Sequence, residues 1–179
     1  FTITPYWADH SAFDSHSFLI EAEGKSIFYS GDFRAHGRKS KAFHWFMHNA
    51  PNNVDYLLLE GTTIVRGNEK QRSEEQVEDE LFSIFTENKI SLIYTSGQNI
   101  DRITSIYKAV LRAKKTLVID VYIAKILKTL SNYARIPYPS SNFSNIKVMF
   151  PYRTSNKLQS EGNDKVLYEE IQLLKNYGS

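Results

Sequence analysis

Two short strings in the first third of the chain carry the side chains best suited to metal or acid–base chemistry: Asp9-His10-Ser11-Ala12-Phe13-Asp14-Ser15 and Ser30-Gly31-Asp32-Phe33-Arg34. An imidazole suits a borderline cation such as zinc. A carboxylate placed behind a glycine can bridge two cations, with the glycine leaving room for close backbone approach. The same strings also read as turns capped by Asp and Ser, which their residue types explain well. What separates the two readings is whether His10 and Asp32 meet. Ser17-Phe18-Leu19-Ile20-Glu21 and Ser26-Ile27-Phe28-Tyr29-Ser30 read as strands joined through Glu23-Gly24-Lys25, which is a hairpin. An antiparallel pair returns the chain to its starting edge, so His10 and Asp32 should converge at one hairpin end although 22 positions separate them.

The rest of the chain supplies an α/β frame. Ala42, Phe43, Phe46 and Met47 recur at helical spacing between Ser40 and Asn49, and Pro51 ends that helix before an apolar strand from Asp55 to Glu60. Ser73-Glu74-Glu75-Gln76 has the form of a capping box, and Val77, Leu81, Phe82 and Phe85 make the apolar stripe of the helix it opens. A strand is expected over Ile90 to Thr95, a helix carrying Ile100, Ile103, Tyr107, Val110 and Leu111, and a strand over Thr116 to Asp120. A helix with Ile123, Leu127 and Leu130 follows, then a loop over Ile136 to Asn142, a strand over Ile146 to Phe150 and a last helix over Lys165 to Tyr177. Strands alternating with helices indicate a parallel sheet with crossovers.

Composition narrows the function classes. The 179 residues have a formal net charge of +2 and no cysteine. Bulk electrostatic coating of nucleic acid is therefore not indicated, although a local basic groove stays open. A disulfide framework, a cysteine nucleophile, an iron–sulfur cluster and a Cys-ligated zinc are excluded within these residues. Residues 1–60 hold five basic and seven acidic groups, against 17 and 13 in residues 61–179, so the first region is the one that would suit cations. The longest apolar runs span a few residues, far below the roughly 20 needed to cross a bilayer, and a soluble, cytoplasmic protein without membrane partners is expected. The opening Phe1-Thr2-Ile3-Thr4 has neither an initiator Met nor a signal-peptide pattern, which reads as an internal fragment of something longer.

Other candidate groups have plainer readings. His44 and His48, four apart on a helix, have metal-sharing spacing but no nearby acid, and helix surface is the preferred reading. His16 reads as a strand-pairing residue. Arg34 and His36, with Arg38 and Lys39, either meet phosphate beside Asp32 or form a solvated loop; both readings stand. Ser11 and Ser15 lack a nucleophile elbow and suit turn capping. Ser96-Gly97-Gln98-Asn99 opens a helix after a strand, where capping is preferred over an anion site. Lys108, Arg112, Lys114 and Lys115 fit compensation of a helix dipole.

Residues 9–39, DHSAFDSHSFLIEAEGKSIFYSGDFRAHGRK, resemble the later part of a metallo-β-lactamase-fold hydrolase. The similarity is to the nucleic-acid-processing branch with an inserted β-CASP domain, which includes ribonuclease J and the pre-mRNA 3′-end endonuclease. The histidine of that family's third metal motif matches His10, and the aspartate of its fourth, in a Gly-Asp-Phe string, matches Asp32. The HSxxDS form is closest to the ribonuclease J pattern. Tyr56-Leu57-Leu58-Leu59-Glu60-Gly61-Thr62-Thr63 resembles the start of the β-CASP insertion, with Glu60 at its acidic motif. Tyr94 to Arg102 and Thr116 to Tyr122 resemble the insertion's loop, helix and next strand. Two departures stand out: the family's HxHxDH cluster is absent, and no histidine follows His48.

The resemblance implies part of an αββα metallo-β-lactamase sandwich over residues 1–57 and the amino-side part of a β-CASP domain over 58–179. It implies a dizinc hydrolase of RNA or another phosphodiester. His10 and Asp32 would be metal ligands, Asp32 bridging, and Glu60 would act in positioning or proton transfer without binding metal. Arg34 and His36 would lie at the substrate. Only about two of the four ligands usual for a zinc are present, so the isolated chain is expected to be inactive, and a homo-oligomer is compatible with it. The alternative is a non-catalytic α/β module that binds a nucleotide or a partner.

Overall fold

The computed structural model describes residues 1–61, 71–150 and 152–161. Two compact units are present, one comprising residues 1–77 and 99–102, the other 78–98 and 103–179. The helix expected over Lys165 to Tyr177, and Thr62-Thr63 of the Tyr56 to Thr63 motif, lie outside the described residues.

The first unit is built on a mixed four-stranded sheet in the order β1-β2-β3-β4. β1 is Thr2–Trp7, β2 His16–Ala22, β3 Lys25–Tyr29 and β4 Tyr56–Leu58. The β2–β3 hairpin is where the apolar alternation predicts it, with Glu23 and Gly24 both at positive φ in its two-residue turn. β1, which contains Pro5, is not among the strands expected from the sequence. It pairs antiparallel with β2 from the sheet edge, where a proline lacking its N–H is tolerated. β4 joins β3 in parallel and is shorter than expected, three residues in place of Asp55 to Glu60. Asp55 fastens its start, accepting hydrogen bonds from Lys25 Nζ at 2.7 Å, Ser26 N at 2.9 Å and Ser26 Oγ at 3.0 Å. These bonds, that from Lys25 foremost, hold its pKa down to about 2.

Side chains paired across strands share a face, so the two faces of the sheet can be read from the register. Leu19, Phe28 and Leu57 form one row, and helix α1 (Ser40–Asn49) packs on that side. Phe46 of α1 stacks on Phe28 at 5.9 Å between centroids, and Tyr6 meets Phe28 edge-on at 5.6 Å. Phe28 and Phe46 are buried, whereas Met47 of the expected α1 stripe is exposed. The opposite face carries the rows Ile3-Ile20-Ile27-Tyr56 and Pro5-Phe18-Tyr29-Leu58. This face is apolar, yet Ile3, Trp7, Tyr29, Tyr56 and Leu58 on it are exposed.

Helix α2 (Glu74–Glu87) begins with the expected capping box: Ser73 N donates to Gln76 Oε1 at 2.9 Å and Gln76 N to Ser73 Oγ at 3.2 Å. Replacing Ser73 by Ala removes one of these bonds and should cost about 1 kcal/mol, read as a shift in the urea unfolding midpoint. No shift would mean that the cap contributes nothing. Helix α3 (Ile100–Arg112) follows the loop over Ser96 to Asn99, and Asn99 Oδ1 accepts the Arg102 N–H at 3.0 Å, a helix cap.

In the second unit, β5 (Leu117–Asp120) and β6 (Ile146–Met149) pair in parallel, with Leu117 opposite Ile146. Between them lies α4 (Val121–Leu130), whose first turn is capped by Asp120 Oδ1 on Ile123 N at 2.8 Å. Phe85, Ile106, Ala109, Val110, Leu127 and Ile146 are buried. Arg112 spans Asp79 at 2.7 Å and Glu78 at 3.3 Å and lies over the Phe82 ring at 4.4 Å. Helix α5 (Tyr152–Ser160) follows β6. The strand expected over Ile90 to Thr95 is not formed: this segment has no ladder to any described strand, and Leu92 is 98% exposed. An apolar run becomes a strand only where a partner supplies its backbone hydrogen bonds, and β5 is paired with β6.

No described helix is long and apolar enough to cross a membrane.

Candidate metal centre

The hairpin does bring the two candidate ligands together. His10 Nε2 lies 3.9 Å from Asp32 Oδ2, with the imidazole 32% and the carboxylate 71% exposed. Each is delivered by a constrained turn. On the His10 side, Ala8 N donates to Ser15 O at 3.0 Å and closes the loop, and Ser11 O accepts from Ile100 N at 3.0 Å. Lys39 Nζ donates to Ala12 O at 2.5 Å and to Phe13 O at 3.3 Å. On the Asp32 side, Ser17 Oγ at the start of β2 donates to Ser30 O at 2.6 Å, binding the two ends of the hairpin. Gly31 then turns the chain at φ +57, a conformation that a side chain would strain.

Glu60 sits at the same end and grips the backbone beside Asp32. Its Oε1 accepts the Phe33 N–H at 2.8 Å, and its own N–H donates to Ser30 Oγ at 3.2 Å. Glu60, two residues beyond the end of β4, thus braces the Asp32 turn.

Arg34 and His36 are placed differently from the pair. The Arg34 side chain is 13% exposed and its guanidinium faces carboxylates: Nη2 is 2.5 Å from Asp101 Oδ2 and Nη1 is 3.7 Å from Glu74 Oε1. Glu74, 2% exposed, also receives Arg102 Nε and Nη2 at 3.2 Å each. Arg38 N donates to Asp101 Oδ2 at 3.1 Å, and the backbone oxygen of His36 accepts from Glu74 N at 3.1 Å. Asp9 is fully buried, and loss of hydration pushes its carboxyl pKa up despite the Gly37 N–H and the Arg34 charge. Burial likewise lowers the His36 pKa, with Arg34 adding to the effect.

The His36 shift has a consequence for pH dependence. A base whose pKa falls on folding gives stability that is full above its ordinary value of 6.5 and is lost as pH falls toward the folded value. Wild-type protein should therefore lose more unfolding free energy than His36→Asn between about pH 7.5 and about pH 5.5. Equal losses would show that His36 titrates alike in both states. Comparing the two proteins cancels the opposite trend from Asp9, whose contribution declines as pH rises.

The remaining histidines follow their plainer readings. His44 and His48 are exposed on α1, and His48 Nδ1 contacts His44 O at 2.7 Å. His16 pairs across from Trp7 and lies 3.7 Å from Asp14.

Does the pair fit a cation? A tetrahedral zinc bonded to both donors at roughly 2 Å would hold them roughly 3.4 Å apart. The separation of 3.9 Å needs only a small side-chain adjustment to reach that value. Among the described residues no group of three or more His, Asp or Glu gathers as a metal site. Among the described residues, one imidazole and one carboxylate stand close enough to share a cation. Asp101, Glu74 and Arg102, which order the segment after Asp32, were not singled out by sequence spacing. Arg34 is 67 positions from Asp101, and only the capping box drew attention to Glu74.

Fold and site together define an α/β protein with a His–Asp pair at a hairpin end. No family profile matches the chain, and no curated protein does. Among solved structures it is similar to a protein of unknown function from Enterococcus faecalis V583, at 22% sequence identity and a TM-score of 0.60. The match covers 85% of this chain and 38% of that one. A likeness at this identity shows the α/β fold alone.

Proposed function

We propose that these residues are part of a metal-dependent hydrolase of the metallo-β-lactamase fold, in its β-CASP branch, cleaving phosphodiester bonds of RNA. The observation that carries the reading is the 3.9 Å approach of His10 Nε2 to Asp32 Oδ2 at the hairpin end where the resemblance places two metal motifs. The exposed apolar face of the first sheet adds support, because an αββα sandwich needs a second sheet against such a face. In this reading residues 1–57 belong to the sandwich, 58–179 to the inserted domain, and the protein is cytoplasmic.

His10 and Asp32 would hold zinc together with ligands from outside these residues. The chemistry a bound zinc would supply there is Lewis-acid activation of water and stabilisation of negative charge. The chain's own residues do the rest. His10 is neutral when it donates its ring nitrogen to a cation. Glu60 holds the Phe33 N–H and so keeps Asp32 on its turn. The guanidinium of Arg34 would have to leave Asp101 to meet a phosphate. His36 is therefore the phosphate contact, a hydrogen-bond donor in its neutral form, while Arg34 fixes the segment that carries it.

With about half a ligand shell, the isolated 179 residues should hydrolyse RNA slowly or not at all. The test is RNA cleavage by the intact protein with His10 or Asp32 replaced. Loss of metal-dependent cleavage supports the reading, and undiminished cleavage refutes it in favour of a binding module.

A further inference from the structure

Directly before His10 the chain buries a carboxylate. Asp9 is 0% exposed and holds the segment after Asp32 at two points. Its backbone oxygen accepts the Arg34 N–H at 2.7 Å, and its Oδ2 accepts the Gly37 N–H at 3.0 Å. The fit leaves no space for a side chain at residue 37: a Cβ there would run into Asp9 Oδ1 and come within 2.8 Å of both Asp9 Oδ2 and Asp101 Oδ2. Burying a carboxylate is costly unless hydrogen bonds compensate, so a fully buried one beside a surface site calls for a reason.

The covalent order supplies that reason. His10 is the next residue after Asp9, and Arg34 is two residues after Asp32. Each bond between Asp9 and residues 34 to 37 therefore ties the backbone that carries one candidate ligand to the backbone that carries the other. The geometry points to Asp9 as a positioning residue, its carboxylate a peg seated against Gly37 that sets the spacing between His10 and Asp32. This rests on the reading of those two as cation ligands, but its test does not need a metal. Asp9 itself touches neither the cation nor the substrate.

The sequence has no cysteine, so nitroxide labels can be attached to His10→Cys and Asp32→Cys alone and their dipolar broadening measured. A second pair, at Thr2→Cys and Glu21→Cys, spans cross-strand partners of β1 and β2 and reports whether the sheet is intact. Adding Asp9→Ala removes the Gly37 tie but keeps the backbone bond from Arg34 N, so it should measurably reduce the broadening between positions 10 and 32 and leave the Thr2–Glu21 pair unchanged. Adding Asp9→Asn, which retains an acceptor for the Gly37 N–H, should preserve it. Unchanged broadening in Asp9→Ala would overturn the proposal, as would equal loss in the Asn and Ala variants with the reference pair intact. If Asp9→Ala disrupts the sheet, Gly37→Ala takes its place: reduced broadening between positions 10 and 32 with the reference pair intact supports the peg, and unchanged broadening overturns it. In the unlabelled intact protein, Asp9→Ala should weaken zinc binding about 10-fold to 100-fold, as loss of support to a ligand does. Zinc binding indifferent to His10→Ala would sink the metal reading and leave the label distances to judge the peg.

Discussion

On the proposed hydrolase reading, intact protein carrying His10→Ala or Asp32→Ala is expected to lose phosphodiester cleavage by about a thousandfold or more while keeping its fold. The size follows from the several kcal/mol of transition-state charge stabilisation that bound metal supplies, each 1.4 kcal/mol or so being tenfold in rate. Preservation of the fold follows from position. Asp32 is 71% exposed and His10 32%, and neither belongs to the buried aromatic layer of Phe28 and Phe46. Initial cleavage rates with thermal unfolding alongside would check both halves. A rate within a few-fold of wild type in either variant contradicts the assignment, and an unfolded variant would contradict the claim that these are surface ligands.

Replacing Arg34 by Ala is expected to act in the opposite sense, on stability first. Removing the guanidinium leaves Asp101 and the 2% exposed Glu74 with one cationic partner fewer in a water-poor setting. Breaking a buried ion pair from one side costs about 3–5 kcal/mol, because an uncompensated charge is left behind. Arg102 still pairs with Glu74, and Arg38 N still donates to Asp101, which points to the lower part of that range. Denaturant unfolding measures it: a loss below about 1 kcal/mol would mean that the cluster behaves as a surface network. Arg34→Lys should recover only part of the loss, since an ammonium cannot present the planar fork that reaches both carboxylates.

Local patterns made much of the first unit legible. The hairpin, α1 and the capping box before α2 are written in contiguous residues, and each forms with nearly the expected bounds. The His10–Asp32 approach was readable for the same reason, because a hairpin is the one element whose geometry alone brings distant residues to one end. Elements whose stability depends on distant partners were not readable. β1 contains Pro5, which a strand tolerates at a sheet edge, and that edge position is not written in the local sequence. Ile90 to Thr95 has strand composition but lacks a ladder. The Arg34–Asp101 and Glu74–Arg102 pairs join residues 67 and 28 positions apart, and no period in the sequence encodes such contacts. Asp9 lay in plain view as a turn residue, and only its burial reveals it as a peg.

The central claim is that His10 and Asp32 share a cation, and zinc content tests it most directly. Elemental analysis of the intact protein after gel filtration should give about two zinc ions per chain, with a clear deficit in both His10→Ala and Asp32→Ala. Equal zinc in all three proteins, or none in the unsubstituted one after zinc loading, would contradict it.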